Sequence, residues 1–203
     1  MVSIEYSEAA VEVLFGHNID FKNCVFTKMG AAALVLDRGA QNCEIIGNEF
    51  YDLSATAAHI GTLYVYNRLY GYRKPTPRHS NGTYYNVRHQ TAAEKVSDIT
   101  FSNNYVHKVA QDYRAAAALS VGYPSNSIIS HNEFFDFPYT GIHAGWGWTT
   151  DYYPDDNTTK PADYVEGPTD LTIDITDNYF HQLFQGTGFT GLEGGDLFLS
   201  RIA

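Results

Sequence analysis

Cysteine, basic residues and long apolar runs are all scarce in this 203-residue chain. Its two cysteines, Cys24 and Cys43, cannot build a disulfide framework and have no metal-ligand spacing, so both are expected as buried free thiols. Only 13 Lys and Arg stand against 23 Asp and Glu, a net charge of −10. A duplex nucleic-acid binder needs a basic face, so no nucleic acid partner is expected. No run of about 18 apolar residues occurs, which excludes a membrane-spanning helix and removes the membrane as a partner. The N-terminal Met-Val-Ser-Ile-Glu has neither a basic nor an apolar leader region, so no signal peptide is expected in the sequence. Nucleophile elbows, phosphate loops, dinucleotide fingerprints and zinc spacings are missing too.

What is abundant is aromatic. With 16 Tyr, 12 Phe and 44% hydrophobic residues, the chain is rich enough to bury a sizeable core, and its length suits a single domain over 1–203. Self-similarity then decides the fold. Five segments share a short strand, a polar turn, then Asn or its equivalent, with a large apolar residue two places on. They are Ile19 to Phe26, Glu44 to Phe50, Ile99 to Val106, Ile128 to Phe134 and Thr172 to Phe180. The shared position is held by Cys24, Asn48, Asn104, Asn132 and Asn178. Once insertions at 64–95 and 149–168 are set aside, these positions recur at intervals of 24, 24, 28 and 26 residues. Alternation at period two, as in Ile99 and Phe101, excludes helices and argues for strands. Each coil carries a second strand, at 33–36, 57–61, 119–122, 141–145 and 188–191. Short strands, tight turns and coils of this length predict an all-β, right-handed parallel β-helix of about five coils. The asparagines are expected to stack as a ladder, each amide bonding the turn backbone of the next coil.

Aligning the second strands on Gly61, Gly122, Gly145 and Gly191 sorts their faces. Ile60, Val121 and Ala144 point inward with Ala58, Leu119 and Ile142, while His59, Ser120, His143 and Phe189 point outward. An exposed face with His59 and His143 two coils apart is a candidate groove. The alternative is a pair of surface histidines on a polar face. Both insertions begin just after these strands. Residues 64–95 carry six basic side chains, Arg73 and Arg78 among them, against one acid, Glu94, and they hold six tyrosines. Residues 149–168 carry five acids against Lys160. Long loops in a repeat protein are usually functional or disordered; the tyrosines argue for ordered packing, and Tyr, Trp and Arg suit sugar rings and carboxylates. The two loops could instead pair by charge and cover the coils. Trp146 and Trp148 in the run Tyr139 to Trp148 read as a sugar platform or as packing beneath the acidic loop. Tyr123, Arg73 and Arg78 are further candidates for binding substrate. Glycoside hydrolysis needs two carboxylates, and Asp37, Asp112, Asp151 and Glu193 are the candidates near the groove, each otherwise a solvated acid. No cofactor or metal is expected. Asp155-Asp156-Asn157 is read as a polar loop tip, with calcium as its alternative.

From Asp112-Tyr113-Arg114 through Leu119 to Tyr123, and from Ser130 through Tyr139-Thr140-Gly141-Ile142 to Gly145-Trp146-Gly147-Trp148, the chain resembles bacterial right-handed β-helix polysaccharide-degrading proteins. The likeness is greatest to glycoside hydrolase family 141 and covers nearly the whole chain, though only a central slice of such enzymes. It implies glycan hydrolysis without a redox cofactor, on a polysaccharide or oligosaccharide, by a protein whose natural parent is secreted or periplasmic. Where such relatives carry Asp-Gly-Gly after the fifth asparagine coil, this chain reads Phe184-Gln185-Gly186-Thr187-Gly188-Phe189. Either Glu193 takes that acid's place or the acid belongs to coils beyond this chain.

Three functions follow as expectations. The first is a hydrolase of a plant or microbial polysaccharide, with its acid/base pair drawn from the four carboxylates and oriented by His59 and His143. The second is a lyase on uronates that uses the basic insertion, and the third a non-catalytic glycan-binding or structural solenoid. No capping helix is evident, so Leu197, Phe198 and Leu199 are expected to be hidden over the last coil or in a second copy, which makes a homo-oligomer through the coil ends an expected partner.

Overall fold

The computed structural model describes residues 7–61, 95–122, 124–144 and 173–181, together with the strand Leu197–Leu199. Each coil supplies three strands. The first holds β1 (Ala9–Leu14), β2 (Asp20–Lys22) and β3 (Val25–Met29), and the second β4 (Ala32–Asp37), β5 (Gln41–Ile46) and β6 (Glu49–Leu53). The third holds β7 (Ala58–Ile60), β8 (Ser97–Ser102) and β9 (Tyr105–His107). The fourth holds β10 (Ala117–Val121), β11 (Ser127–Ser130) and β12 (Glu133–Phe135), and the fifth β13 (Thr140–Ala144), β14 (Ile173–Thr176) and β15 (Tyr179–His181). Equivalent strands pair in parallel, giving a first sheet β1-β4-β7-β10-β13, a second β2-β5-β8-β11-β14 and a third β3-β6-β9-β12-β15. This is the parallel β-helix that the 24-residue recurrence predicts. The repeat segment around each asparagine holds two strands rather than one, because the backbone turns a corner just before the asparagine.

That corner explains the recurrence. Asn23, Asn103, His131 and Asp177 stand there at φ of 54°, 53°, 57° and 53°, and Gly47 at 70°. Left-handed backbone favours Asn, Asp and Gly, which is why this turn reads as polar in every coil. Next to it runs the asparagine ladder. Asn104 Oδ1 accepts from the Asn48 backbone N–H at 2.9 Å and from Asn48 Nδ2 at 3.0 Å, while Asn104 Nδ2 donates to Ile45 O at 2.8 Å and to Asn132 Oδ1 at 3.0 Å. Asn132 and Asn178 repeat the pattern through Phe101 O and Ile129 O. The expected direction is reversed. Each amide serves the turn backbone of the preceding coil, because its carbonyl reaches back to the N–H one rung below.

Between the sheets runs a continuous core. Leu34, Leu36, Ala58, Ile60, Leu119, Val121 and Ile142 fill it from the first sheet, and Cys43, Ile45, Ile99, Phe101 and Ile129 from the second. Phe26, Phe50, Val106, Phe134 and Phe180 form one inward column of the third. Phe26 and Phe50 stack at 4.7 Å, and Phe134 and Phe180 at 5.0 Å. No helix occurs among the described residues, and so none long and apolar enough to cross a membrane.

One expectation about buried groups is corrected. Cys24 is exposed, not buried, because it holds the asparagine position on the lowest described rung, where no coil beneath covers it. Cys43 lies in the core as expected, and burial raises its thiol pKa. Thiol titration of the native protein at neutral pH is therefore expected to count one prompt thiol, Cys24, with Cys43 reacting only after unfolding. Two prompt thiols would contradict the packing around Cys43. The edge of β13 is taken by β16 (Leu197–Leu199), which runs antiparallel with Phe198 opposite His143. That edge is closed within the chain. The second strand expected at 188–191 lies outside the described residues.

Candidate functional site

Register fixes the outward column of the first sheet. Glu12, Val35, His59, Ser120 and His143 stand one above another on β1, β4, β7, β10 and β13. The face assignment made from the glycines is right, since the flanking Leu34, Leu36, Ala58, Ile60, Leu119 and Val121 all enter the core. Its exposure is not. His59 and Ser120 are each 1% accessible and His143 0%, so this is a covered face rather than an open groove with surface histidines. Alternation tells which way a side chain points, not what lies over it. The one sequence signal of a cover is Val35, an apolar residue in the same column and 2% accessible.

A buried polar column is costly to keep. Among the described residues the Ser120 hydroxyl finds no hydrogen-bond partner, a situation that costs about 1–3 kcal/mol. Two buried imidazoles flank it on adjacent strands. At the C-terminal end of the same sheet stands Asp37, 6% accessible, with Oδ1 accepting the Arg38 N–H at 2.6 Å. Directly above it come Gly61 and Gly122, whose N–H groups continue the ladder to Leu36 O and Ile60 O at 2.8 and 2.6 Å. Gly61 has φ of 85°, a conformation that a side chain would strain. For two coils above Asp37 the position carries no side chain, and both glycines are buried. Both insertions also leave at this end of the sheet, after β7 and after β13.

With this fold the matches to known proteins agree. A family model described as "Right handed beta helix region" matches residues 2–158. The chain belongs to that right-handed β-helix family. A solved structure titled "Glycoside hydrolase" is 28% identical, with a TM-score of 0.58, over 70% of this chain and 21% of that one. The chain thus spans about a fifth of that neighbour's length. No curated protein matches it.

On this right-handed β-helix the candidate carboxylates separate. Asp112 lies at the opposite end of the first sheet, exposed, with Oδ2 accepting from the Ser54 hydroxyl at 2.5 Å and its N–H donating to Ser54 O at 3.1 Å. Ser54 precedes the strand that Gly61 ends, so at about 3.3 Å per residue Asp37 and Asp112 are roughly 16 Å or more apart along the strands. A single bond cleaved between two carboxylates needs them within about 5–9.5 Å, so these two do not form one pair. Asp151, Glu193, Tyr123, Trp146, Trp148, Arg73 and Arg78 lie outside the described residues, as do Asp155-Asp156-Asn157 and both insertions apart from Lys95. Among the described residues no group of three His, Cys, Asp or Glu could hold a metal.

A second polar surface, absent from the candidates above, is the outer face of the third sheet. Val25, Glu49, Tyr105, Glu133 and Tyr179 form one outward column, and Thr27, Tyr51, His107, Phe135 and His181 the next. Tyr51, His107, Phe135 and His181 stack ring on ring at 5.3, 4.7 and 4.8 Å. His107 Nε2 meets Glu49 Oε1 at 3.0 Å, and His181 Nε2 meets Glu133 Oε1 at 2.7 Å. Partial burial, then Glu133 and Glu49, hold the Tyr105 phenol above its ordinary pKa, so it stays a hydrogen-bond donor. The signal was legible in the residues one and three places after each asparagine: Glu-Phe-Tyr, Tyr-Val-His, Glu-Phe-Phe and Tyr-Phe-His.

Proposed function

We propose that this chain is part of a carbohydrate-active protein, a glycoside hydrolase acting on a plant or microbial polysaccharide outside the cytoplasm and close in kind to family 141. The observation that carries the reading is the polar column His59–Ser120–His143, retained on a covered face beside Asp37 and the glycine positions above it. Buried polar groups that packing does not require are characteristic of functional sites. The β-helix family and the glycoside hydrolase neighbour support it from outside the chain. Asp37 supplies one carboxylate. The second comes from Asp151 or Glu193, in the segments that follow β13 and β15. His59 and His143, each enclosed by its neighbours, orient these groups rather than meeting solvent themselves.

Release of reducing ends from neutral and acidic glycans tests the reading. Wild-type protein is expected to release them, and Asp37→Asn to lower kcat by about 100-fold or more, the usual weight of an acid/base group. His143→Ala, which empties a fully buried site, is expected to lower both the melting temperature and the kcat of the protein that stays folded. Well-folded protein inactive on every glycan would overturn the hydrolase reading. Product absorbing in the near ultraviolet, formed only from uronates, would replace it with a lyase.

A further inference from the structure

We propose that the outer face of the third sheet is a second glycan-binding surface, taking a neutral, extended oligosaccharide laid along the solenoid axis. This rests on the carbohydrate reading but concerns a different sheet from the candidate catalytic one. Three exposed large apolar side chains, Val25, Tyr105 and Tyr179, at 59%, 37% and 62%, fall on a single column, with Glu49 and Glu133 between them. Tyr105 and Tyr179 stand on β9 and β15, two strands apart, which is about 9–10 Å and close to the length of a disaccharide unit. Glu133 sits between them. Sugar rings stack on tyrosine and their hydroxyls donate to carboxylates, so ring, acceptor, ring is the order that successive residues of a glycan would meet.

The surface is also held rigid in advance. Tyr105 leans on His107 and Phe135 at 4.8 and 5.1 Å, and Tyr179 stacks on His181 at 4.9 Å. Each glutamate spends one oxygen on the histidine of the next coil, yet its side chain remains about 40% exposed, 41% for Glu49 and 40% for Glu133. Groups already fixed lose little entropy when a ligand arrives. A protein partner fits poorly, because the core of such an interface is depleted of charge and here every second rung is a carboxylate. An acidic glycan fits poorly too, since the column holds two carboxylates and no cation.

Affinity electrophoresis of the full chain in gels containing xylan, mixed-linkage β-glucan or polygalacturonate tests the proposal. Wild-type protein is expected to be retarded by a neutral glycan and not by polygalacturonate. Tyr179→Ala, and more so the Tyr105→Ala/Tyr179→Ala double variant, should weaken that retardation by tenfold or more with an unchanged melting temperature, while Asp37→Asn is retarded as wild type. Unchanged retardation of the double variant overturns the proposal, and loss of turnover in Asp37→Asn would then show that the hydrolase reading survives without it. A double variant that instead turns a dimer into a monomer in sedimentation, with retardation intact, assigns the face to a second copy and also overturns it. Wild type that neither binds nor cleaves any of the three glycans overturns both.

Discussion

Replacing Asn104 by leucine is expected to lower the unfolding free energy by about 3–6 kcal/mol, a large part of the 5–15 kcal/mol that holds a typical domain together. Asn104 is 2% accessible and uses both amide groups twice, toward Asn48 below, Ile45 behind and Asn132 above. Leucine takes the volume but leaves the Asn48 N–H, one Asn48 amide hydrogen and the Ile45 carbonyl without their partner. Each such buried group costs about 1–3 kcal/mol. Asn104→Asp is expected to be at least as damaging, because a carboxylate oxygen then faces the Ile45 carbonyl and the Asn132 Oδ1, acceptor against acceptor. The control is Asn42→Gly, which removes an exposed amide bonded to Asn18 at a left-handed position (φ 53°) that glycine also tolerates, and is expected to cost less than about 1 kcal/mol. Urea denaturation checks all three. Equal midpoints for Asn104→Leu and Asn42→Gly would contradict the ladder as a principal support of the stack.

Phe50→Ala is expected to cost about 3–5 kcal/mol, the usual penalty for emptying a buried phenylalanine site. Phe50 is 0% accessible and touches aromatic rings in two directions, Phe26 at 4.7 Å and an interplanar angle of 4°, and Phe101 at 5.9 Å. Its neighbours belong to different coils and sheets, so the cavity opens where the stack is held both vertically and across. Val25→Ala, one residue before Phe26 but 59% exposed, is expected to change stability by no more than about 0.5 kcal/mol. Thermal melting of the pair decides the matter, and similar losses for both would show that the inward column is not packed as described.

How much of this was legible in the sequence depends on which force fixes each feature. The coils were, because left-handed corners select Asn, Asp and Gly at Asn23, Gly47, Asn103 and Asp177, and the buried ladder selects Asn48, Asn104, Asn132 and Asn178. Inward and outward positions on the first sheet were legible too, since the core demands apolar residues at Leu34, Ala58, Leu119 and Ile142. The burial of His59 and His143 was not, because alternation along a strand assigns a face and carries no information on what lies over it. Nor was the wide separation of Asp37 from Asp112, which depends on where each falls along a strand rather than on the coil to which it belongs. The aromatic and carboxylate columns of the third sheet were written in the sequence at fixed offsets from the asparagines. They become a surface only once the two halves of each repeat segment are seen as separate strands.

Glycan chemistry at the C-terminal end of the first sheet is our proposal, and a crystal structure soaked with an oligosaccharide tests it most directly. The predicted result is a sugar bound at that end of the sheet, with the Asp37 carboxylate within about 2.6–3.2 Å of a sugar oxygen, directly or through one water. A sugar bound at the opposite end beside Asp112, or along Tyr105 and Tyr179 with the Asp37 end empty, would contradict it.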